Sequence, residues 1–504
     1  MRWHLQRLVL AACLLSGLAW AQGPPRGFWT VPGNDAAHTS WQKAETEITP
    51  ETVSKDFKFL WKIKLGNGTA KSSFSEPLLF PGLITGRGFK DLAFLADAGT
   101  LYAVDSELGE LVWKKDFQSS SAPKACGNIQ LVPEAPQVIH FGAPRPAGPR
   151  PAAPPPPATP LPRAQRRVGA AAGGGYFSLR GIYVLTSDGY IHEQIMATGL
   201  DYAPPVKWLP APGGSSFGLN MNDKVVYTFT GSGCQNVPDQ VWSIDINTPD
   251  YKVGTYKAEK LSLAGVTGPA IGTDGTAYVA TASGPVALGP DLKAKDWYTP
   301  SPAGKMLNAS PVMLTYKGKE LIAAAGGDGS LVLLDSQSLG GADHHTPLAQ
   351  TATLAKSARR GAWDSLAGFQ DKAGALWVLA SISGPVDTGV KFAITDGPAP
   401  HGSIVAFKLE ETDGKTSLTP AWISRDLVNP APPAIANGVV FALEGGHAHA
   451  TLYALDAGTG KQLYSSGDAI ATYGRLGGMS VGDGHVFFTT HDNTLYSFGI
   501  PLEH

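Results

Sequence analysis

The chain has 504 residues, of which 60 are glycine, 40 are proline and only 16% are charged. This composition is typical of a turn-rich globular protein that buries a core, and it argues against a helical or disordered chain. The formal net charge is −2, and no basic stripe is interleaved with aromatic residues. The sequence therefore does not predict nucleic acid as a partner.

The first 21 residues have the pattern of a secretory signal peptide. Arg2 and Arg7 form its positive region, residues 8–18 its apolar region, and Ala19-Trp20-Ala21 a small-x-small cleavage site. We therefore expect cleavage after Ala21 and an exported mature chain, 22–504, that is periplasmic or secreted. No other apolar run approaches the ~20 residues that a spanning helix needs, so we expect no transmembrane segment after cleavage.

Two cysteines remain in the predicted mature chain, because Cys13 lies in the signal peptide. Cys126 and Cys234 are too far apart for a Cys-x-x-Cys metal motif. In an oxidising compartment an even pair is consistent with a disulfide, and two free thiols are the alternative.

Two distant parts of the chain carry the same sequence motif. LYAVDSELGELVW at 101–113 and LYALDAGTGKQLY at 452–464 share Leu-Tyr-Ala, an Asp, a Gly, and an aromatic residue four places after that Gly. We expect the Asp to accept hydrogen bonds from turn amides and the Gly to adopt a positive φ. The aromatic residue would then pack against the next structural unit, which makes the motif a docking device.

Hairpin signals recur between these motifs. Asp-Gly and Asn-Gly turns separate short runs of alternating β-branched and aromatic residues, so each unit is predicted to be a small antiparallel meander. The last strand of each unit is predicted to carry an aromatic residue: Trp61, Trp113, Trp208, Tyr256, Trp297, Trp422 and Tyr464. Residues 208, 256 and 297 lie 48 and 41 positions apart, which is the length of a four-stranded propeller blade.

Counting the units predicts an all-β fold, an eight-bladed β-propeller of four-stranded antiparallel blades. Seven complete units begin near residues 74, 126, 216, 265, 307, 361 and 430. The eighth combines residues 476–500 with the N-terminal strand around Trp61, which would close the ring. Seven blades is the alternative, because Trp113 and Trp208 lie 95 positions apart and the unit near 307 lacks the aromatic residue.

One segment interrupts this single propeller domain. Residues 144–175 are rich in Pro, Gly and Arg, and no acidic residue occurs between Glu134 and Asp188. Such a segment cannot bury a core, and it is predicted to be a disordered, partly polyproline insertion. It is either a tolerated surface loop or a tether for an anionic surface or partner.

The A-x-D-x-x-x-G-x-x-x-W/Y repeat resembles that of the pyrroloquinoline quinone (PQQ)-type β-propellers. That superfamily includes the quinoprotein alcohol dehydrogenases and the propeller lipoprotein of the outer-membrane assembly machinery. The resemblance covers the chain from about Trp29 to its end. The lead-in to the first blade agrees at Trp29, Gly33-Asn34-Asp35, Trp41, Ile48, Val53 and residues 60–66.

The enzymes of this superfamily imply a PQQ cofactor with calcium, but the chain departs from their pattern. It has no adjacent Cys-Cys pair and no Cys-x-x-Cys-His haem motif. The family's calcium ligands and base aspartate fall on no matched motif here. The cofactor therefore stays unassigned, with PQQ and calcium suggested by the fold alone, and no catalytic residue is identified.

The candidate site lies at one mouth of the central channel, because the connector that enters each innermost strand ends there. Polar groups that converge at such a funnel form a ligand site, with Trp363 for stacking and two arginines for anionic groups. The alternative is that these residues cap strands and bind channel water. The candidates are Glu76, Asn128, Asn308, Arg360, Trp363, Asp364 and Arg475.

Metal binding is not predicted. His447 with His449, and the run 343–345, lack a full ligand set at diagnostic spacing.

Two functions follow from these observations. The first is an exported, monomeric propeller that binds a small molecule or an envelope protein at the channel mouth and acts as a binding or scaffold module. The alternative is a PQQ- and calcium-dependent dehydrogenase that oxidises an alcohol or a sugar. Fold alone cannot decide between them, because function resides in the site.

Overall fold

The structure is a computed structural model. It describes residues 27–66, 74–117, 129–134, 181–210, 215–231, 239–257, 268–300, 310–326, 330–354, 366–386, 389–446, 448–474 and 477–501, with backbone only for 215–217. The Pro-rich insertion and both mature-chain cysteines lie outside these residues, so the predictions made for them stay predictions.

Three short elements precede the first complete blade. They are β1 (Trp41–Gln42), the helix α1 (Pro50–Lys55) and β2 (Lys58–Lys64). The helix starts from a capping box, in which Thr49 and Thr52 exchange side-chain and backbone hydrogen bonds. Among the described residues no helix is long and apolar enough to cross a membrane.

The strands that follow form eight blades in chain order, of which blades 1 to 4 come first. Blade 1 contains β3 (Leu78–Thr85), β4 (Gly88–Ala96), β5 (Thr100–Asp105) and β6 (Leu111–Asp116). Blade 2 contains β7 (Gln130–Pro133), β8 (Gly181–Leu185), β9 (Tyr190–Ile195) and β10 (Asp201–Lys207). Blade 3 contains β11 (Ser215–Asn222), β12 (Val225–Gly231), β13 (Gln240–Asp245) and β14 (Val253–Lys257). Blade 4 contains β15 (Ala270–Ile271), β16 (Ala277–Thr281), β17 (Gly284–Leu288) and β18 (Ala294–Trp297).

Blades 5 to 8 complete the ring. Blade 5 contains β19 (Val312–Tyr316), β20 (Lys319–Ala325), β21 (Leu331–Asp335) and β22 (Ala349–Gln350). Blade 6 contains β23 (Leu366–Gln370), β24 (Leu376–Ser383), β25 (Ile394–Thr395), β26 (Gly402–Thr412) and β27 (Lys415–Ile423). Blade 7 contains β28 (Ala434–Ala436), β29 (Val439–Glu444), β30 (Thr451–Asp456) and β31 (Gln462–Ser465), with β1 as a parallel fifth strand. Blade 8 contains β32 (Ser480–Gly482), β33 (His485–Thr489), β34 (Thr494–Gly499) and β2.

The eight-bladed prediction is confirmed, and the seven-blade alternative is wrong. The N-terminal strand β2 pairs antiparallel with β34, with Trp61 opposite Ser497 and Ile63 opposite Leu495. The last blade is therefore completed by the first part of the chain. This pairing covers the edge that an open ring would expose.

The predicted hairpin signals also hold. Among the described residues, five two-residue hairpin turns place both residues at positive φ: Asp223-Lys224, Lys317-Gly318, Asp413-Gly414, Asn437-Gly438 and Asp483-Gly484. Two consecutive positive φ values are the geometry of a type I′ turn, whose twist matches that of the flanking strands. These turns fix the register of the hairpins they close.

The repeated motif joins neighbouring blades as expected. Trp113 of blade 1 donates its indole N–H to the main-chain oxygen of Met196 in blade 2, at 2.9 Å. Its ring lies over Gly199, where an added Cβ would be only 2.6 Å from the indole and where φ is +69°. Trp61 lies over Gly109 and Trp422 over Gly460 in the same way. The motif is therefore a docking device, since any side chain at the Gly would collide with the indole.

The prediction for Trp208 is wrong in its position. Trp208 lies one residue beyond β10, and the position four residues after Gly199 is Ala203. Outer strand β10 contains the Pro204-Pro205 pair instead, which an edge strand tolerates because one side of it needs no ladder hydrogen bonds.

The direction of the strands distinguishes the two faces of the propeller. We define the mouth face as the one from which the chain enters the innermost strands, and the far face as the opposite one. Strand β7 runs from the mouth face to the far face and ends at Pro133, and β8 returns from Gly181. The anchors of the Pro-rich insertion are therefore on the far face.

Candidate functional site

The N-terminal residues 27–42, which we call the axial segment, lie inside the ring. Its main-chain oxygens accept hydrogen bonds from successive innermost strands around the channel. The bonds run from Ile271 N–H to Ala36 (2.7 Å), Met313 N–H to Ala37 (2.9 Å), Gly368 N–H to Thr39 (3.0 Å) and Ile435 N–H to Ser40 (2.8 Å). These donors belong to blades 4, 5, 6 and 7 in order, so the segment follows the inner wall of the ring.

The two ends of the axial segment complete the circuit. Trp29 exchanges main-chain hydrogen bonds of 3.1 and 2.9 Å with Leu79 of blade 1. Val31 packs in one buried cluster with Val132 of blade 2. Gln42 donates its side-chain amide to the main-chain oxygen of Val481 in blade 8, at 3.3 Å.

Blade 3 is reached through a side chain. Asn220 donates its amide to the main-chain oxygen of Ala36, at 3.0 Å, and also contacts the His38 ring nitrogen Nε2, at 3.1 Å. Burial lowers the pKa of His38 to about 3, so this ring is neutral. The axial segment thus contacts all eight innermost strands, whose inner edges would otherwise present unpaired backbone groups.

A local turn shapes the axial segment. Gly33 and Asn34 both have positive φ, and the Asp35 carboxylate accepts hydrogen bonds from the backbone N–H (2.9 Å) and hydroxyl (2.8 Å) of Thr39. The Gly-Asn-Asp sequence is suited to this path, because Gly and Asn adopt left-handed geometry at low cost. The matched lead-in residues therefore have a specific task, which is to turn the chain within the channel.

Glu76 is the one predicted site residue that lies within the described part of the chain. It precedes β3 at the mouth face, and its Oε1 accepts hydrogen bonds from Trp29 Nε1 (2.5 Å) and Gly33 N–H (2.9 Å). A Cβ at Gly478 would lie 2.0 Å from Oε2. Burial raises the pKa of Glu76 to about 8. The carboxyl is therefore largely protonated at neutral pH and joins the axial segment to the mouth.

The other predicted site residues lie outside the described residues. They are Asn128, Asn308, Arg360, Trp363, Asp364 and Arg475. The predicted convergence at the channel mouth therefore stays a prediction for these six residues.

Glu76, the described residue of the predicted mouth site, does not fit a PQQ and calcium site. Glu76 has its Oε1 occupied by two donors of the axial segment, and Gly478 packs against the second oxygen. A quinone or cation ligand needs an accessible charged oxygen, whereas this carboxyl is buried and held neutral near pH 7.

Three carboxylates that the sequence did not single out meet on the far face, where blades 8 and 1 join. Asp91, Glu107 and Asp483 offer oxygens within 4.8 Å of one another, the group among the described residues that could share a metal ion. Burial, followed by the charges of Asp483 and Asp91, raises the pKa of Glu107 to about 7. Gly82 N–H already donates to Asp91 Oδ1, so this carboxylate also stabilises a turn.

A groove between blades 1 and 2 was also not predicted. It encloses about 550 Å³ and lies between β6 and the β8–β9 turn, at the mouth face. Phe117 of blade 1 packs edge-on against His192 of blade 2, with ring centroids 4.9 Å apart. No sequence signal marks this groove, because its walls come from segments that only the docking of two blades brings together.

Comparisons with known proteins confirm the fold. The chain is similar to the quinohemoprotein alcohol dehydrogenase from Comamonas testosteroni, with 14% identity and a TM-score of 0.57 over 96% of this chain and 82% of that one. It is similar to the quinohemoprotein alcohol dehydrogenase ADHIIG from Pseudomonas putida HK5, with 12% identity and a TM-score of 0.56 over 95% and 81%. It is also similar to the computationally designed Ika8 protein, with 11% identity and a TM-score of 0.51 over 88% and 99%.

No protein-family model and no curated protein sequence matches the chain. The resemblance to quinoprotein alcohol dehydrogenase-like propellers is thus confirmed in the fold. At these identities it extends to the fold alone, and a designed protein shares it.

Proposed function

We propose that this protein is an exported binding module of the cell envelope, which receives its ligand at the mouth face of the propeller. The carrying observation is that residues 27–42 occupy the channel and hydrogen-bond to its innermost strands. A ligand can then enter the funnel from the mouth face and rests on a floor built by the chain itself.

The floor supports a binding role over a catalytic one. Trp29 and Gly33 hold Glu76 in place from the axial segment. Such a carboxyl is positioned to stiffen the base of the funnel. Specificity is assigned to the residues that the sequence predicts at the mouth, with Arg360 and Arg475 for an anionic group and Trp363 for a flat one.

The alternative function is a PQQ- and calcium-dependent dehydrogenase of alcohols or sugars. Its support is the fold shared with two quinohemoprotein alcohol dehydrogenases. Of the residues predicted at the mouth, Glu76 is the described one, and its carboxyl is engaged by the axial segment. Since the same fold serves proteins of different function, this likeness does not favour an enzyme.

The test uses the mature protein, residues 22–504, titrated with PQQ and Ca²⁺ and then assayed by dye reduction with alcohols and sugars. We expect no stoichiometric quinone binding and no turnover. A parallel thermal-shift screen with carboxylates and aromatic acids is expected to find stabilising ligands. That stabilisation should be lost in Arg360→Ala and retained in Arg87→Ala, which removes an exposed arginine on a far-face turn.

If the protein binds quinone stoichiometrically and turns over substrate, and Asp364→Ala loses both properties, the protein is a dehydrogenase and the binding-module proposal is wrong. A ligand that binds the Arg360→Ala variant as tightly as the natural protein would show that the mouth is not its binding site.

A further inference from the structure

The groove between blades 1 and 2 has walls of mixed chemistry. Blade 1 contributes Asp116 and Phe117 from the end of its outer strand, and blade 2 contributes Asp188, His192 and Tyr202. Its volume of about 550 Å³ lies within the ~300–1,000 Å³ range of small-molecule sites. Tyr202 is 52% exposed, so an aromatic face is available at the rim.

The ammonium group that lines the groove is already paired. Lys115 lines it, but its ammonium pairs with Asp201 Oδ2 across the joint, at 2.9 Å. The other oxygen of Asp201 accepts from the Gln194 amide, at 2.8 Å. This leaves Asp116 and Asp188 as carboxylates without a cation among the lining residues.

A chain of hydrogen bonds orients the histidine. Thr186 donates its hydroxyl to Asp188 Oδ1, at 2.5 Å, and its oxygen lies 3.2 Å from His192 Nε2. With the hydroxyl proton used on Asp188, Nε2–H donates to Thr186, so Nδ1 holds a lone pair. Burial lowers the pKa of His192, which keeps the ring neutral at pH 7.

Each of these two carboxylates has one oxygen bonded to a neighbouring threonine, Asp188 to Thr186 and Asp116 to Thr100. The groove therefore combines carboxylate charge that no lining cation neutralises with aromatic faces. Inorganic metal ions need ligand atoms much closer together, and among the described residues that spacing occurs only in the Asp91, Glu107 and Asp483 group. An anion would be repelled by the carboxylates. A cation with N–H donors and an apolar stem suits both the acceptors and the rings.

We propose that the groove between blades 1 and 2 is a binding site for organic ammonium ions, of the class of aliphatic diamines and polyamines. The ammonium group is bound by Asp188 and His192, and the stem lies against Phe117 and Tyr202. Outside the lining, Lys114 Nζ lies 4.0 Å from Asp116 Oδ2, and Lys207 donates to the main-chain oxygen of Asp188. These ammonium groups make the attraction moderate, and the affinity is expected to be weak.

The test is isothermal titration of the mature protein, residues 22–504, with spermidine, and with 1,4-butanediol as an uncharged probe. We expect saturable binding of spermidine that weakens as salt rises, and no binding of the diol. Asp188→Asn keeps the turn acceptor and removes the charge, and it is expected to weaken spermidine binding about three- to tenfold, the net scale of one ordinary hydrogen bond.

Asp492→Asn is the matched control. Asp492 accepts from Thr490, at 2.7 Å, in the equivalent turn of blade 8, so its loss perturbs a similar turn outside the groove. Binding unchanged from the natural protein is expected for this variant. A lysine-containing peptide in a further titration distinguishes a free amine from a lysine side chain as the source of the ammonium group.

Three results would overturn the proposal. They are equal binding of the diol, no saturable binding of spermidine at millimolar concentration, and equal weakening by Asp188→Asn and Asp492→Asn. The proposal is independent of the mouth ligand, since Arg360→Ala is expected to leave spermidine binding unchanged.

Discussion

Two joints between neighbouring blades differ in how deeply they bury the tryptophan of the outer strand. Where blade 6 meets blade 7, Trp422 is 0% exposed, covers Gly460 and donates its N–H to the main-chain oxygen of Ala457, at 2.9 Å. Where blade 4 meets blade 5, Trp297 is 48% exposed and stacks on His344, with ring centroids 4.0 Å apart.

A neighbouring residue takes the docking position at the second joint. Tyr298 is buried, and a Cβ at Gly340 would lie 2.7 Å from its ring. Both outer strands have an irregular register, but Trp422 lies opposite Ala406, directly beside the irregularity, whereas Trp297 lies one position farther from it, opposite Val286. A shift of one residue thus buries Tyr298 in place of Trp297. Aromatic residues at the same position of the motif therefore contribute unequally to the free energy of unfolding.

The largest effect is expected from emptying the buried joint. Trp422→Ala removes a fully buried indole and its hydrogen bond, and should lower the free energy of unfolding by about 3 to 5 kcal/mol. Trp297→Ala removes a half-exposed ring and should cost about 1 kcal/mol or less. Chemical denaturation of both variants measures this difference, and similar losses would break the comparison.

A glycine substitution sharpens the comparison from the opposite side of the joint. At Gly199→Ala the new Cβ meets the Trp113 ring at 2.6 Å and φ is +69°, so we expect a loss of about 1 to 3 kcal/mol from overpacking in addition to backbone strain. Gly414→Ala is the control, because φ is +74° there and nothing lies within 4 Å. Its loss should be about 1 kcal/mol, from strain alone. Equal losses in unfolding experiments would show that the indole contact is soft.

The joint between blades 8 and 1 adds a titratable group, and the effect of replacing it is the smallest near pH 4.5. Glu76 has a folded pKa of about 8, above the ordinary value of 4.5. The folded state therefore binds the proton more tightly, and this contribution is full below about pH 4.5 and lost as pH rises through 8. Glu76→Gln should change stability little near pH 4.5, where the carboxyl is protonated in the folded state and only beginning to ionise in the unfolded state, and it should flatten the decline between pH 4.5 and 8. Melting temperatures measured across this range test it, and an unchanged slope would contradict the assignment.

The sequence predicted the blades well and the interior of the ring poorly. Trp61, Trp113 and Trp422 were predictable because their contacts repeat with the motif. The axial segment was seen only as a lead-in, because its bonds to Ile271 and Ile435 use main-chain groups that leave no side-chain pattern.

Two further features depend on tertiary contacts. Glu76 was predicted at the mouth, but its engagement by Trp29 joins residues 47 positions apart and follows from the path of the axial segment. The groove between blades 1 and 2 forms only when Phe117 and His192 are brought together by docking. A single sequence does not predict such contacts, because they are not part of the repeated motif.

The central claim is that residues 27–42 lie in the channel and hydrogen-bond to its innermost strands. Hydrogen exchange at the main-chain N–H groups of Ile271, Met313, Gly368 and Ile435 tests it most directly, because each donates to this segment. We predict slow exchange in the mature chain and fast exchange after removal of residues 22–42, with continued protection in β24 and β29 as evidence that the blades persist. Fast exchange at these four amides in the intact chain, or no change after the removal, would contradict the account.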